Sequence, residues 1–127
     1  GYFMVEIPKK WSTKNKMLKA KAQEVIKLRT LGKKDSSGVK KLTREVNAGC
    51  REMSDWVYSQ TKKHLSDGKI PGLIGGDHST PLGAIRAIAE KLRGDFGILH
   101  IDAHADLRVA YQDFEQSHAS IMYNVLE

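Results

Sequence analysis

The sequence predicts an α/β chain built on a parallel strand–helix–strand unit, and three observations carry that expectation. Residues 70–76, IPGLIGG, form a short apolar run closed by two glycines. Residues 80–94, TPLGAIRAIAEKLRG, read as a helix with Thr80 at the N-cap, Pro81 at the first helical position and Gly94 just past the end. Residues 96–101, FGILHI, form a second apolar run with the texture of a strand covered on both faces. Two such strands joined by a helix pair in parallel through a right-handed crossover.

The elements before this unit are read in the same way. YFMVEIP, 2–8, predicts a short strand ended by Pro8. Residues 12–32 predict a helix capped by Ser12 or Thr13, with an apolar stripe of Met17, Leu18, Ala22, Val25 and Leu28 and a stop at Gly32. KKDSSG, 33–38, is a polar connector. A longer helix is expected over 39–66, where Val39, Leu42, Val46, Cys50, Met53, Val57 and Leu65 mostly recur at three- and four-residue steps. Gly49 weakens it locally by about 1 kcal/mol. DGK, 67–69, turns the chain, and SIMYNVLE, 120–127, begins a further helix.

The 127 residues, 40% hydrophobic and 28% charged, suit one modest globular domain. The single cysteine, Cys50, can form no internal disulfide, so a reducing compartment, the cytoplasm, is expected. No run approaches the roughly 20 apolar residues of a membrane span, and no signal-peptide pattern opens the chain. The charge is uneven: residues 1–70 hold 17 Lys/Arg against 7 Asp/Glu, whereas residues 71–127 hold 4 against 8. The basic half is rich in Lys rather than Arg and has little aromatic interleaving. It reads as solvated helix faces rather than a nucleic-acid surface. The acidic half is the better place for a cation.

The chemistry concentrates there. Strands paired in parallel point their carboxyl ends the same way, and ligands bind at that edge. The first strand ends at GGDHS, 75–79, and the second at DAHAD, 102–106, so His78 is expected to converge with Asp102, His104 and Asp106. On a straight strand Asp102 and Asp106 would lie about 13 Å apart, too far for one ion, so the chain must curl after Asp102. Imidazole and carboxylate without thiolate suit Mn²⁺, Zn²⁺ or Fe²⁺. A carboxylate such as Asp102 can bridge two ions. The plain alternative for DAHAD is an internally hydrogen-bonded polar cluster, and for GGDHS a glycine turn before a helix. His100, deeper in the strand, is read as a hydrogen-bonded core histidine. His118, in QSHAS, can act as a proton shuttle if its loop returns to the same edge. There is no Walker lysine and no GxGxxG spacing to hold a nucleotide.

In this order and at these spacings, GGDHS, DAHAD and SHAS resemble the ureohydrolases, the family of arginase and agmatinase. The run IDAHADLRVAYQDFEQSHASIMYNVL, 101–126, is most similar to the agmatinases. The match covers about residues 70–127; residues 1–69 match only in general. The resemblance implies a three-layer α/β/α fold with a parallel sheet, only part of which is present. Residues 1–69 would form its basic, mostly helical lead-in and residues 70–127 its metal-site βαβ region. It implies a binuclear manganese centre with a bridging hydroxide: His78 and Asp106 on one ion, His104 on the other, Asp102 between them, and His118 near the substrate as proton shuttle. The implied reaction converts agmatine to putrescine and urea, and the complete enzyme is expected to be a homo-oligomer.

The family's later aspartate motif and substrate-binding glutamate have no match here, since after Asp106 the only acids are Asp113, Glu115 and Glu127. The chain therefore reads as an internal piece that binds metal weakly and turns over little by itself. LRVAYQDFEQS, 107–117, stands where arginases carry the Thr- and Asn-rich stretch that holds an α-carboxylate, which favours a substrate without one. Guanidinobutyrate, formiminoglutamate and arginine are the neighbouring alternatives, and a non-catalytic metal- or protein-binding fragment is the alternative of another class.

Overall fold

The computed structural model describes residues 1–127. Four helices are formed: α1 (Lys9–Thr30), α2 (Ser37–Ser66), α3 (Leu82–Leu92) and α4 (Ile121–Leu126). The chain divides into two compact units, Gly1–Gly49 and Cys50–Glu127, with the division inside α2. No helix is long and apolar enough to cross a membrane.

In the first unit, α1 starts at Lys9, three residues before the expected caps. Pro8 sits at the N-cap with φ −55° and ψ 137°, and its carbonyl accepts the Trp11 N–H at 2.9 Å. Ser12 and Thr13 thus lie inside the first turn and cap nothing. Val25 is fully buried, whereas Met17, expected on the same stripe, is exposed. The Leu18 side chain lies against the Cα of Gly49, where a Cβ would stand 2.3 Å from a Leu18 methyl. A glycine in mid-helix therefore admits a close approach there. Lys21 pairs with Glu45 at 2.5 Å and holds its carboxylate below the ordinary range.

The buried face of α2 is more polar than its apolar stripe suggests. Val39, Val46 and Val57 are buried, but so are Thr43, Asn47, Ser54 and Thr61. Thr43 satisfies its hydroxyl on the Val39 carbonyl at 2.9 Å, the usual helical back-bond. Cys50 is half-buried; desolvation, and then the Asp77 charge, push its thiol up, which makes it a poor nucleophile.

In the second unit, α3 packs on the end of α2 and against α4. Gly83 makes the first of these contacts possible, because a Cβ there would stand 2.1 Å from the Ser54 carbonyl oxygen and 2.8 Å from the Tyr58 nitrogen. The two backbones meet with no side chain between them. On the outside of the pair, Lys62 binds Glu90 at 2.8 Å, the Tyr58 hydroxyl donates to Glu90, and Arg86 binds Asp55 at 2.9 Å. The helix begins at Leu82, one residue later than Thr80 as N-cap would require, and Pro81 takes the N-cap position. The Thr80 side chain packs on Gly76 instead of capping. Arg93 and Gly94, both at positive φ, end the helix, and the Gly94 N–H returns to the Ala89 carbonyl.

The expected parallel sheet is not formed. The segments 2–8, 70–76 and 96–101 form no β-ladder, and the sole bridge is the antiparallel pair Tyr111–Phe114. The expectation of a three-layer α/β/α arrangement with a parallel strand–helix–strand unit is corrected accordingly: its helix is present and its two strands are not formed. The reason is physical. A strand's ladder hydrogen bonds come only from neighbouring strands and its buried faces from layers packed on the sheet, and two isolated strands are marginal in water. Ile70, 98% exposed, and Leu99, 86% exposed, are covered by nothing.

Two outcomes follow from the α2–α3 contact. Gly83→Ala should destabilise the protein by roughly 1–3 kcal/mol through overpacking, whereas Gly72→Ala, with open space around its Cα, should be near neutral; denaturant titration followed by circular dichroism at 222 nm measures both. The second outcome is a pH dependence. Hydrogen bonds from Lys62, and then Tyr58, hold Glu90 below its ordinary value of 4.5. Its contribution is full above pH 4.5 and is lost as pH falls through the lowered folded value. Glu90→Gln should flatten that acid limb of the unfolding midpoint, and an unchanged limb would assign the acid sensitivity to other carboxylates.

Candidate metal centre

The second unit builds a histidine–carboxylate cluster from two loops that flank α3. The first loop is GGDHS. Gly75 and Gly76 both adopt left-handed backbone, at φ 96° and 79°, which side-chain-bearing residues rarely accept. At Gly76 a Cβ would also collide with the Thr80 hydroxyl. Asp77 then accepts the Ser79 N–H at 2.9 Å and its hydroxyl at 2.5 Å, and the Asp77 carbonyl takes the Thr80 N–H. This knot leads into α3 and leaves His78 on its inner side.

The second loop is DAHAD. Asp102 accepts the His104 N–H at 2.8 Å, a local turn that bends the chain immediately after Asp102. The curl expected from ligand distances is therefore present. Asp106 has left-handed backbone, φ 50°, and its carbonyl accepts the N–H groups of Met122 and Tyr123 at 3.1 and 3.3 Å. Its side chain is 7% exposed.

His78 Nδ1 lies 2.7 Å from Asp106 Oδ2 and 3.4 Å from Asp102 Oδ2. The other oxygen of Asp102, Oδ1, lies 3.3 Å from His104 Nδ1. Asp102 thus turns one oxygen to each histidine. The His104 N–H, acting against partial desolvation, holds the Asp102 carboxyl below its ordinary range, and the charges of His78 and His100 add to this. A carboxylate kept ionised between two imidazoles is a ready cation ligand.

His78, Asp102 and Asp106 form one group of potential donor atoms, all within 4.8 Å of one another, and the fourth member is His100. His104 stands outside that group and its side chain is 82% exposed. The expectation that His100 is a hydrogen-bonded core histidine is corrected: the residue is only half-buried, and its Nε2 is buried with no hydrogen-bond partner. Its ring centroid is 5.0 Å from that of His78, with the planes at 39°. The sequence signal for this residue was its i, i+2 relation to Asp102, which puts both on one face of an extended chain.

The donor set of two imidazoles and two carboxylates, with one imidazole nitrogen orphaned, fits a divalent transition ion such as Mn²⁺ or Zn²⁺. His118 belongs to a neighbouring feature. Tyr111 and Phe114 exchange backbone hydrogen bonds of 3.1 and 2.9 Å around Gln112 and Asp113, both left-handed, in a tight two-residue hairpin turn. The Tyr111 ring meets the His118 ring edge-on at 5.4 Å. Arg51 binds Glu115 at 2.6 Å and the Asn124 amide donates to the Glu115 carbonyl at 2.9 Å, which ties this loop to α2 and α4.

Comparison with known proteins places the chain in a family. The model of the arginase family matches residues 10–127. An N(1)-aminopropylagmatine ureohydrolase of Thermus thermophilus is 43% identical over 70 residues, 55% of this chain and 24% of that protein. A mitochondrial arginase of Medicago truncatula is 48% identical over 88 residues, 66% of this chain and 25% of its own. Arginase 1, mitochondrial, of Oryza sativa subsp. indica is 44% identical over 73 residues, 56% of this chain and 22% of its own. The match thus spans about a quarter of the length of these relatives. No solved structure matches. With a family match over nearly its whole length and a histidine–aspartate cluster built from GGDHS and DAHAD, the chain belongs to the arginase family.

Proposed function

We propose that this chain carries part of a ureohydrolase centre that releases urea from agmatine, with two manganese ions held by His78, Asp102, His104 and Asp106. The observation that carries the reading is the placement of Asp102, whose two oxygens face His78 and His104 separately, at 3.4 and 3.3 Å. That is the disposition a bridging carboxylate needs. His78 and Asp106 would serve the ion on one side, and His104 the ion on the other.

Bound manganese would supply Lewis acidity and activate water for attack on the guanidino carbon. The remaining work falls to side chains. Asp102, held ionised by the His104 N–H, keeps its negative charge for the cations. Asp106 is fixed through its own backbone, which anchors the start of α4, so its carboxylate is held against His78. His118, exposed and braced by Tyr111, is suited to deliver a proton to the departing amine.

The choice of agmatine rests on residues 107–117, which carry Asp113 and Glu115 but neither Thr nor Asn. Such a loop lacks the Thr- and Asn-rich pattern expected to hold an α-carboxylate, and its two acids favour a cationic amine. One relative is named for an agmatine derivative and others are named arginases, so arginine and N(1)-aminopropylagmatine are the substrates to compare.

The test is urea release by the whole protein with excess Mn²⁺ and each of the three substrates in turn. Agmatine should give the highest kcat/KM. Asp102→Asn should lower turnover by at least about 10²-fold, because it weakens the hold on both ions at once. Near-normal turnover of Asp102→Asn in saturating Mn²⁺ would reject the bridging role, and preference for arginine would reject the substrate. Metal binding without urea release would leave a non-catalytic binding site.

A further inference from the structure

We propose that Arg108 is the positioning residue for His118: its main chain ties down the turn that carries the histidine, and its guanidinium seats the Tyr111 ring against the imidazole. The inference rests on the reading above in which His118 delivers a proton, and it adds the device that aims that side chain. Three observations carry it.

The first is the closure of the backbone. The Asp106 carbonyl takes the N–H groups of Met122 and Tyr123, and two residues further on the Arg108 N–H donates to the Ala119 carbonyl at 3.1 Å. The loop is thus closed at its base, next to His118 on one side and close to Asp106 on the other. Within it the Ser120 N–H donates to the Ser117 carbonyl at 3.0 Å, and the two serine hydroxyls stand 2.7 Å apart. Both serines are buried. His118 lies inside this tight turn, so its main chain is fixed.

The second is the freedom that remains. His118 is exposed although the serines on either side of it are not. A fixed main chain with an exposed imidazole leaves the two side-chain torsions to be set. A general acid must lie within hydrogen-bond reach of the atom it protonates, so those torsions decide whether the residue works. The turn gives His118 a place but no direction.

The third is a stack that supplies the direction. The Tyr111 ring meets the imidazole edge-on, with centroids 5.4 Å apart and planes at 68°. The Arg108 Cζ lies over the same Tyr111 ring, 5.6 Å from its centroid. An edge-to-face aromatic pair and a cation above an aromatic face are both attractive, and a planar guanidinium is well shaped for the second. Arg108 therefore reaches His118 by two routes, through its main chain to Ala119 and through its side chain to Tyr111.

The experiment uses the whole protein with excess Mn²⁺ and agmatine. Side-chain variants leave the Arg108 N–H in place and so isolate the stack. Arg108→Gln should lower kcat by about 3–10-fold with KM within ~2-fold. Arg108→Lys, which keeps a cation over the ring, should recover most of that loss. On the residual turnover of a His118→Asn background, Arg108→Gln should cost no more than ~2-fold, because a residue acting through His118 has nothing left to act on. On the unmutated chain, nuclear Overhauser contacts should join the Tyr111 and His118 ring protons, and this readout needs no variant to fold. Absence of those contacts, a raised KM with kcat unchanged, or an equal loss in the His118→Asn background would overturn the inference and leave the proposed function standing. No urea release by the unmutated protein would overturn both.

Discussion

The pairing of His78 with Asp106 at 2.7 Å closes a segment of 28 residues, and the acidic end of the chain is organised around it. It joins the loop before α3 to the loop that leads into α4. With no sheet to hold these loops in register, side-chain hydrogen bonds and charge do so. His78 reaches both Asp102 and Asp106, so one imidazole gathers two carboxylates that would otherwise repel each other. Breaking it would leave a carboxylate, Asp106, whose side chain is 7% exposed, without a cationic or donor partner.

What presents His78 to this pairing is packing rather than propensity. The turn that carries it needs left-handed backbone at Gly75 and Gly76, and it runs straight into α3. That helix is placed by the near-contact of Gly83 with the α2 backbone and is stapled outside by Lys62 with Glu90 and Arg86 with Asp55. The half-exposed ion pairs contribute little energy individually. Their value lies in fixing rotation about a contact that has no side chain to key it. Asp106 is treated in the same fashion, since its left-handed backbone directs its carbonyl onto the first N–H groups of α4.

Asp102 distributes charge within the cluster. Its Oδ1 takes the His104 N–H and faces the His104 ring, while its Oδ2 faces His78. The backbone hydrogen bond both lowers the carboxyl pKa and bends the chain. One short-range interaction thereby favours the ionised carboxylate and separates the two neighbouring histidines, His104 exposed and His100 beside His78. The hairpin at Gln112 and Asp113 does comparable work for His118, with the local strain of two non-glycine left-handed residues holding Tyr111 against that ring.

Local chemistry was legible in the sequence wherever it depends on spacing along the chain. The helices followed from apolar recurrence and from the stops at Gly32 and Gly94, with their starts displaced by Pro8 and Pro81, which took the N-cap positions. His78, Asp102 and Asp106 were legible as candidate ligands from the glycine pair and the alternating His/Asp, and the fold brings the three together. The strands at 70–76 and 96–101 were misjudged because a strand is a relation between segments, and an apolar run does not say whether a partner lies beside it. The buried Thr43, Asn47, Ser54 and Thr61 on α2 escaped the apolar pattern because their burial is set by what packs against them. His100 was misassigned for the same reason: its identity and its place before Asp102 are in the sequence, but an unpartnered buried nitrogen exists only once the surrounding chain has folded. The sequence by itself determined the donor chemistry and the helices. The tertiary structure decided which histidine stands beside which oxygen of Asp102, because that depends on a single bend whose direction no periodicity encodes.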